Sequence, residues 1–272
     1  KLNPNYACIT SLDSDHLDIY EDSNSLIEAF EQFKNNIVDD GFLISHEDVR
    51  ISSKKYGIIE SSDYLAKNIT SNKSFSQFDL CLDGGKIENL KLHLQGLHNV
   101  MNSVAAVSIA IELGISDKKI VEALSSFKGV ERRFSYKIDN ETMVLIDDYA
   151  HHPEEIKQVY NTLKLIYPND NLLVVFQPHL YSRTRDMLDE FAEELSKFDA
   201  VILLEIYAAR EIPIEGISSD VLLKRIKSKY KFLSEKSELS RLIKDIGFKI
   251  NITLGAGAVS YTHLRAHETG GY

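Results

Sequence analysis

Cysteine is scarce. Cys8 and Cys81 are the only two in 272 residues, and they form no CxxC pair. That spacing offers no zinc or dithiol redox motif, and the expected state is two buried, reduced thiols in a cytosolic chain. Positive charge is also in deficit, with 31 Lys and Arg against 41 Asp and Glu and a formal charge of -10. No basic run is long enough to track a phosphate backbone, which excludes nucleic acid as a partner. An anionic small ligand remains compatible, since it needs only a local arginine cluster or a helix N-terminus. The opening KLNPNYACIT lacks the basic and apolar regions of a signal peptide. No apolar run approaches the roughly 18 residues of a membrane span, so a soluble, cytoplasmic chain without a membrane partner is expected. An initiator Met is missing too, and a strand-like run at 6–10 arrives almost at once, so the chain is expected to begin inside a domain.

What is present reads as two cores, which 43% hydrophobic content can fill. The first half suggests a strand at 6–10, a helix over 24–37 and a strand at 41–45, followed by a β-hairpin within 72–95 around the turn DGGK. Val100, Val104, Val107 and Ile111 recur at helical spacing, Gly114 is placed to end that helix, and a short helix follows over 117–125. After FKGVERRF the pattern restarts. Apolar runs at 143–146, 172–176, 200–206 and 249–254, with a short strand near 230–233, alternate with helical stretches at 153–166, 185–197, 218–228 and 236–246. Wholly apolar strands separated by amphipathic helices predict a parallel sheet covered on both faces. The boundary between halves falls near 127–130. The last 15 residues, AVSYTHLRAHETGGY, keep neither period and resemble translated adapter sequence. Residues 258–272 are therefore read as a non-native tail.

Ligands of an open parallel sheet bind beyond the carboxyl ends of its strands, where the following helices aim their N-termini. Three such ends read IDDYAHHPEE (146–155), FQPHLYSRTRD (176–186) and EIYAARE (205–211). His, Arg, Asp or Glu recurring in three consecutive strand-end loops predicts a polar, anion-binding cleft. Pro153 suits a first helical turn, with Glu154 and Glu155 near the positive end of the dipole. Of His151 and His152, one is expected to cap or pack and the other to face the cleft, since adjacent side chains diverge. Arg183 and Arg185 can each hold phosphate or carboxylate, and for Arg185 an exposed ion pair with Asp186 or Asp189 is preferred. Arg132 and Arg133 sit at the presumed domain junction, one of them expected to face solvent. Asp15, His16 and Asp18 follow the first strand, where a carboxylate and imidazole can ligate a divalent metal or simply cap a helix. Asn99 and Asn102 lie one helical turn apart, so both amides can face a nucleotide base, with helix capping by Asn99 as the alternative.

Together, SDHLDIY (14–20), GLHNVMNSVAA (96–106), GVERRF (129–134), DDYAHHPEEI (147–156), FQPHLYSRTRD (176–186) and IYAARE (206–211) resemble, in order and spacing, the motifs of the Mur ligases. DDYAHHP with FQPHxYSRT points to the alanine-adding branch, and the resemblance runs over residues 1–257. It implies an α/β architecture, with a partial central ATP-binding domain (1–128) followed by a Rossmann-like, mostly parallel C-terminal domain (129–257). The implied reaction is ATP-dependent. The lactyl carboxylate of UDP-N-acetylmuramate attacks the γ-phosphate, and the amine of L-alanine then attacks the acyl phosphate, in peptidoglycan synthesis. Arginines and Mg²⁺ would stabilise the anionic states. By the family's pattern His16 would ligate Mg²⁺, Asn99 and Asn102 would contact adenine, and Arg132 with Asp148 would close on the nucleotide. Tyr149, His151, His179 and Arg183 would line the muramate and alanine side, with the last three catalytic.

Departures narrow these expectations. Leu180 stands where many members carry Arg, which removes one anion contact, and Phe30 falls near the place of a lysine that other branches carbamylate. Neither DGGK (83–86) nor GAG (255–257) has the phosphate-loop pattern. That loop and the UDP-binding domain are expected to precede Lys1, so the 272-residue chain alone is expected to be inactive. Recycling of a murein tripeptide and a non-catalytic nucleotide-binding module are the alternative readings.

Overall fold

The computed structural model describes residues 2–12 and 23–257. The chain divides into two compact units, Lys1–Lys128 and Gly129–Tyr272.

In the first unit a six-stranded sheet runs in sequence order: β1 (Tyr6–Ile9), β2 (Phe42–His46), β3 (Lys54–Gly57), β4 (Tyr64–Ser71), β5 (Ser76–Leu82) and β6 (Gly85–Leu92). The first four are parallel, β5 runs antiparallel to β4, and β5 and β6 form the expected hairpin. Successive residues of β2 serve opposite faces, as the strand period demands. Ile44 packs with Phe78, Leu80 and Leu90 beneath Val100, Val104 and Val107 of α2 (Leu97–Glu112). Leu43 packs with Ala7, Ile9 and Ile51 against Phe30 and Phe33 of α1 (Ser23–Asn35). Helix α2 ends as its sequence suggests, with Gly114 at φ 71° and the Ile115 amide reaching back to the Ala110 carbonyl at 3.0 Å. Helix α3 (Asp117–Ser126) completes the unit. Cys8 and Cys81 are free thiols, half-buried rather than fully buried.

The second unit holds β7 (Ser135–Asp139), β8 (Val144–Asp148), β9 (Leu172–Phe176), β10 (Ala200–Leu203), β11 (Tyr230–Leu233) and β12 (Ile250–Leu254) in the order β11-β10-β9-β12-β8-β7. All neighbours are parallel except β7, which runs antiparallel along the edge beside β8. Every residue of β8, β9, β10 and β12 is buried, which accounts for the continuous apolar runs. Helices α4 (Pro153–Ile166), α5 (Tyr181–Asp186), α6 (Leu188–Leu195), α7 (Ser219–Arg225) and α8 (Leu239–Ile246) connect the strands. The stretch expected as one helix over 185–197 is two, because the backbone breaks at Met187 (φ -121°, ψ 29°). Beyond the break Leu188, Phe191, Ala192 and Leu195 turn onto the sheet core.

Candidate active site

Parallel strands β8, β9 and β10 end side by side with β12 between the first two, so their following loops meet on one edge. A chain of rings crosses that edge. Tyr149 meets His151 edge-on at 5.0 Å between ring centroids, His151 meets His179 edge-on at 5.8 Å, and His179 stacks on Tyr207 at 5.7 Å with 22° between planes. The main chains of the second and third loops are joined as well. His179 and Tyr207 form an isolated parallel bridge, the Leu180 amide donates to the Tyr207 carbonyl at 3.0 Å, and the Tyr207 amide donates to Pro178 at 2.8 Å.

The two adjacent histidines take different jobs. His152 is the N-cap of α4, accepting from the Glu154 amide at 3.3 Å, while Glu155 reaches back to the His152 amide at 3.2 Å in a capping box. His151 instead faces His179. Its Nδ1 lies 3.0 Å from the Tyr149 carbonyl and 3.3 Å from a Glu155 carboxylate oxygen. Both are acceptors, so Nδ1 carries a proton. His179 is held below the ordinary imidazole value by burial, by His151 and by the Arg183 guanidinium, against an opposing pull from Glu211. Its Nδ1 is buried with no hydrogen-bond partner.

The paired arginines also diverge. Arg133 is half exposed, 3.8 Å from Glu155 Oε1, with its guanidinium 5.6 Å from the Tyr149 ring centroid. Arg132, at φ 61°, turns inward. Nε meets Asp147 at 3.3 Å, and the terminal nitrogens reach the Gly255, Gly257 and Ala256 carbonyls at 2.7, 3.0 and 3.5 Å. The carboxylate beside Arg132 is thus that of Asp147. Asp148 is buried, and its two oxygens accept from the Phe134 amide at 2.7 Å and the Ala150 amide at 2.8 Å. Two N–H donors ordinarily depress a carboxyl, but burial outweighs them and Arg133, and pushes Asp148 up. Arg185 forms the exposed pair with Asp186, at 2.6 and 3.1 Å, while Asp189 pairs with Arg225.

In the first unit, Asn99 and Asn102 stand on α2 near its start. Gly96 is the N-cap, and Asn99 is not a capping residue; it is buried and donates from Nδ2 to the Gln95 carbonyl at 2.8 Å. Asn102 is exposed. His16 lies outside the described residues.

Tyr207, Glu155, Glu211 and the 255–257 segment take part at this edge without having been singled out as site residues. Tyr207 and Glu211 belong to the third strand-end loop and share its signal. The role of Gly255, Ala256 and Gly257 is carried by backbone carbonyls, which side-chain chemistry cannot announce.

A profile of the Mur ligase middle domain matches residues 1–110, and a profile of the Mur ligase glutamate ligase domain matches residues 132–249. The chain belongs to the Mur ligase family. A curated member from Christiangramia forsetii, named UDP-N-acetylmuramate--L-alanine ligase, is 48% identical over 259 residues, which are 95% of this chain and 57% of that protein. The crystal structure of UDP-N-acetylmuramate-alanine ligase MurC from Thermotoga maritima matches with a TM-score of 0.78 at 27% identity, over 98% of this chain and 59% of that one. A MurF ligase from Thermotoga maritima, solved in complex with ADP, shares the fold at 17% identity, with a TM-score of 0.72 over 97% of this chain and 61% of that one. This Mur ligase chain therefore spans less than two thirds of the length of the relatives it matches. Among its described residues no helix is long and apolar enough to cross a membrane.

Proposed function

We propose that this chain contributes part of the active site of a cytoplasmic ATP-dependent ligase that joins L-alanine to the lactyl carboxylate of UDP-N-acetylmuramate in peptidoglycan synthesis. The observation that carries the reading is the 48% identity, over 95% of the chain, to a protein of that name. The strand-end geometry supports it chemically. Phosphorylation gives the carboxylate a leaving group, and the alanine ammonium must lose a proton before it can attack the acyl phosphate. Burial and cationic neighbours favour the neutral form of His179, the form that can accept that proton. Arg183 and the exposed Arg133 supply positive charge for carboxylate and phosphoryl oxygens. Tyr149 and His151 wall the same edge.

Asn102 and the carbonyl oxygen of Asn99 are the groups proposed to meet the adenine, since Nδ2 of Asn99 already serves Gln95. Arg132 and Asp148 act on the nucleotide side by holding backbone in place, because their hydrogen-bonding atoms engage the chain itself. Mg²⁺, when bound, would offset phosphate charge. Its implied ligand His16 is not among the described residues, and those residues contain no group of three or more His, Cys, Asp or Glu able to hold a metal, so no step here is routed through it.

The test joins this chain to the part of the Christiangramia forsetii relative that it does not cover and follows ADP release. Release that requires both UDP-N-acetylmuramate and L-alanine is expected. Release with a murein tripeptide in place of L-alanine would replace the reading by peptide recycling, and no release with either would point to a non-catalytic nucleotide-binding module. The 272-residue chain assayed alone is expected to be inactive, because no segment in it has the phosphate-loop pattern.

A further inference from the structure

Helix α5 carries His179 and Arg183 at its entrance and in its body, yet it has no cap of its own. Leu180 occupies the N-cap with φ 71° and ψ 137° and offers no side-chain hydrogen bond. The first backbone N–H groups of a helix need an acceptor, and one arrives from 29 residues away. Glu211, in the loop after β10, accepts from the Ser182 amide at 3.0 Å, from the Ser182 hydroxyl through a short hydrogen bond, and from the Tyr181 amide. An anionic ligand could otherwise compete for these amides, but a carboxylate of the chain already holds them.

We propose that Glu211 is a positioning residue, which closes the start of α5 from the neighbouring strand-end loop and so leaves His179 and Arg183 as the groups that meet an anionic carboxylate or phosphate. Its attachment reinforces the Leu180 to Tyr207 and Tyr207 to Pro178 hydrogen bonds, so the 178–183 and 207–211 segments move as one. The charged and titratable groups that act on His179 come from each loop at this edge: His151 after β8, Arg183 on α5 and Glu211 after β10, with the Tyr207 ring stacked on its face. Glu211 is the one among them that favours the imidazolium, and it stays ionised because its hydrogen bonds outweigh the upward push of burial. The inference rests on the anion-binding reading of this edge.

The experiment uses the 272-residue chain, compares Glu211→Gln and Glu211→Ala with the parent by NMR, and needs no ligand. Glu211→Gln keeps a carbonyl acceptor and loses the charge. It should largely retain exchange protection at Tyr181 and Ser182 while the His179 titration midpoint moves down. Glu211→Ala should move the midpoint the same way and reduce protection of the Ser182 amide about ten- to a hundredfold, the range for a hydrogen bond to a charged group. If Glu211→Ala does not fold, Ser182→Ala, which keeps the amide and removes the hydroxyl, takes its place and should weaken protection at the start of α5. An unmoved His179 midpoint in Glu211→Gln, or unchanged protection in the truncated variant, overturns the proposal. Failure of the fused ligase to use UDP-N-acetylmuramate would instead sink the functional reading and leave these NMR results standing.

Discussion

Arg132 donates from a terminal nitrogen to the Gly255 carbonyl at 2.7 Å, which ties the entrance of β7 to the segment leaving β12 across 123 positions of sequence. The same guanidinium also meets Asp147, Gly257 and Ala256. An ammonium cannot reproduce this planar fork. Arg132→Lys is therefore expected to destabilise the second unit by about 1.5–3 kcal/mol, the range for hydrogen bonds to charged groups. Urea denaturation followed by tyrosine fluorescence checks it, and an unchanged midpoint would show that these contacts contribute nothing net.

Asp148→Asn tests the buried carboxylate. Asparagine offers one carbonyl oxygen where two backbone amides, from Phe134 and Ala150, each now meet an oxygen. Its NH₂ group would face the second amide, donor against donor. A loss of about 2–3 kcal/mol is expected, the cost of a buried unsatisfied donor. Comparison with Asp148→Ala tells the two causes apart: similar losses in both would mean that the amides, and not the clash, dominate.

The pH dependence of the second unit has a definite sign. His179 lies below its ordinary value in the folded chain, so the unfolded chain takes up this proton first as pH falls. Its contribution is complete above the ordinary imidazole range, near pH 6.5, and is lost as pH drops through the folded value. Asp148 behaves oppositely: its raised carboxyl contributes most below about pH 3.9 and loses that contribution as pH rises through the folded value. Between pH 7.5 and 5.5 the imidazole effect is expected to make the urea midpoint fall on acidification. His179→Gln should flatten the slope. A slope identical in the variant would assign the acid sensitivity elsewhere.

Gly257→Ala probes the close approach of the last described segment. A Cβ there would sit 2.7 Å from Gln177 Oε1 and 3.5 Å from the Tyr207 ring. Gln177 would have to turn away from its hydrogen bond to the Glu205 carbonyl, and the new methyl would touch the Tyr207 ring that stacks on His179. A cost of about 1–3 kcal/mol is expected for overpacking, together with altered ring shifts at His179. Thermal melts and one-dimensional NMR suffice to check both.

Much of this was legible in the sequence because the physics that shapes the second unit is periodic. Val144–Asp148 and Leu172–Phe176 are buried throughout and announce a parallel sheet. Pro153 opens a helix that begins at that residue. Strands β3 and β4 were not legible. β3 is four residues with two lysines, and Lys55 sits in a sheet because its ammonium binds Ser45 at 2.8 Å and the Ile51 carbonyl at 2.9 Å. β4 buries Tyr64, Leu65 and Ala66 in succession and only then alternates. At the site, residue type singled out His151, His179 and Arg183. It could not tell Asp147 from Asp148, since which of two neighbours points into the core depends on register, and it could not foresee that Arg132 turns inward through a left-handed backbone.

The place of β12 bears on how the chain is made. It lies between β8 and β9, which do not pair with each other, although more than a hundred residues are synthesised between β8 and β12. A ribosome therefore delivers β8, β9, β10 and β11 before the strand that joins β8 to the rest. Until Ile250–Leu254 emerges, β8 and β9 present facing open edges, ready to pair with any extended segment nearby. The unit cannot acquire its fold piecemeal from its N-terminal side. Its vulnerability to aggregation during synthesis is set by when β12 appears.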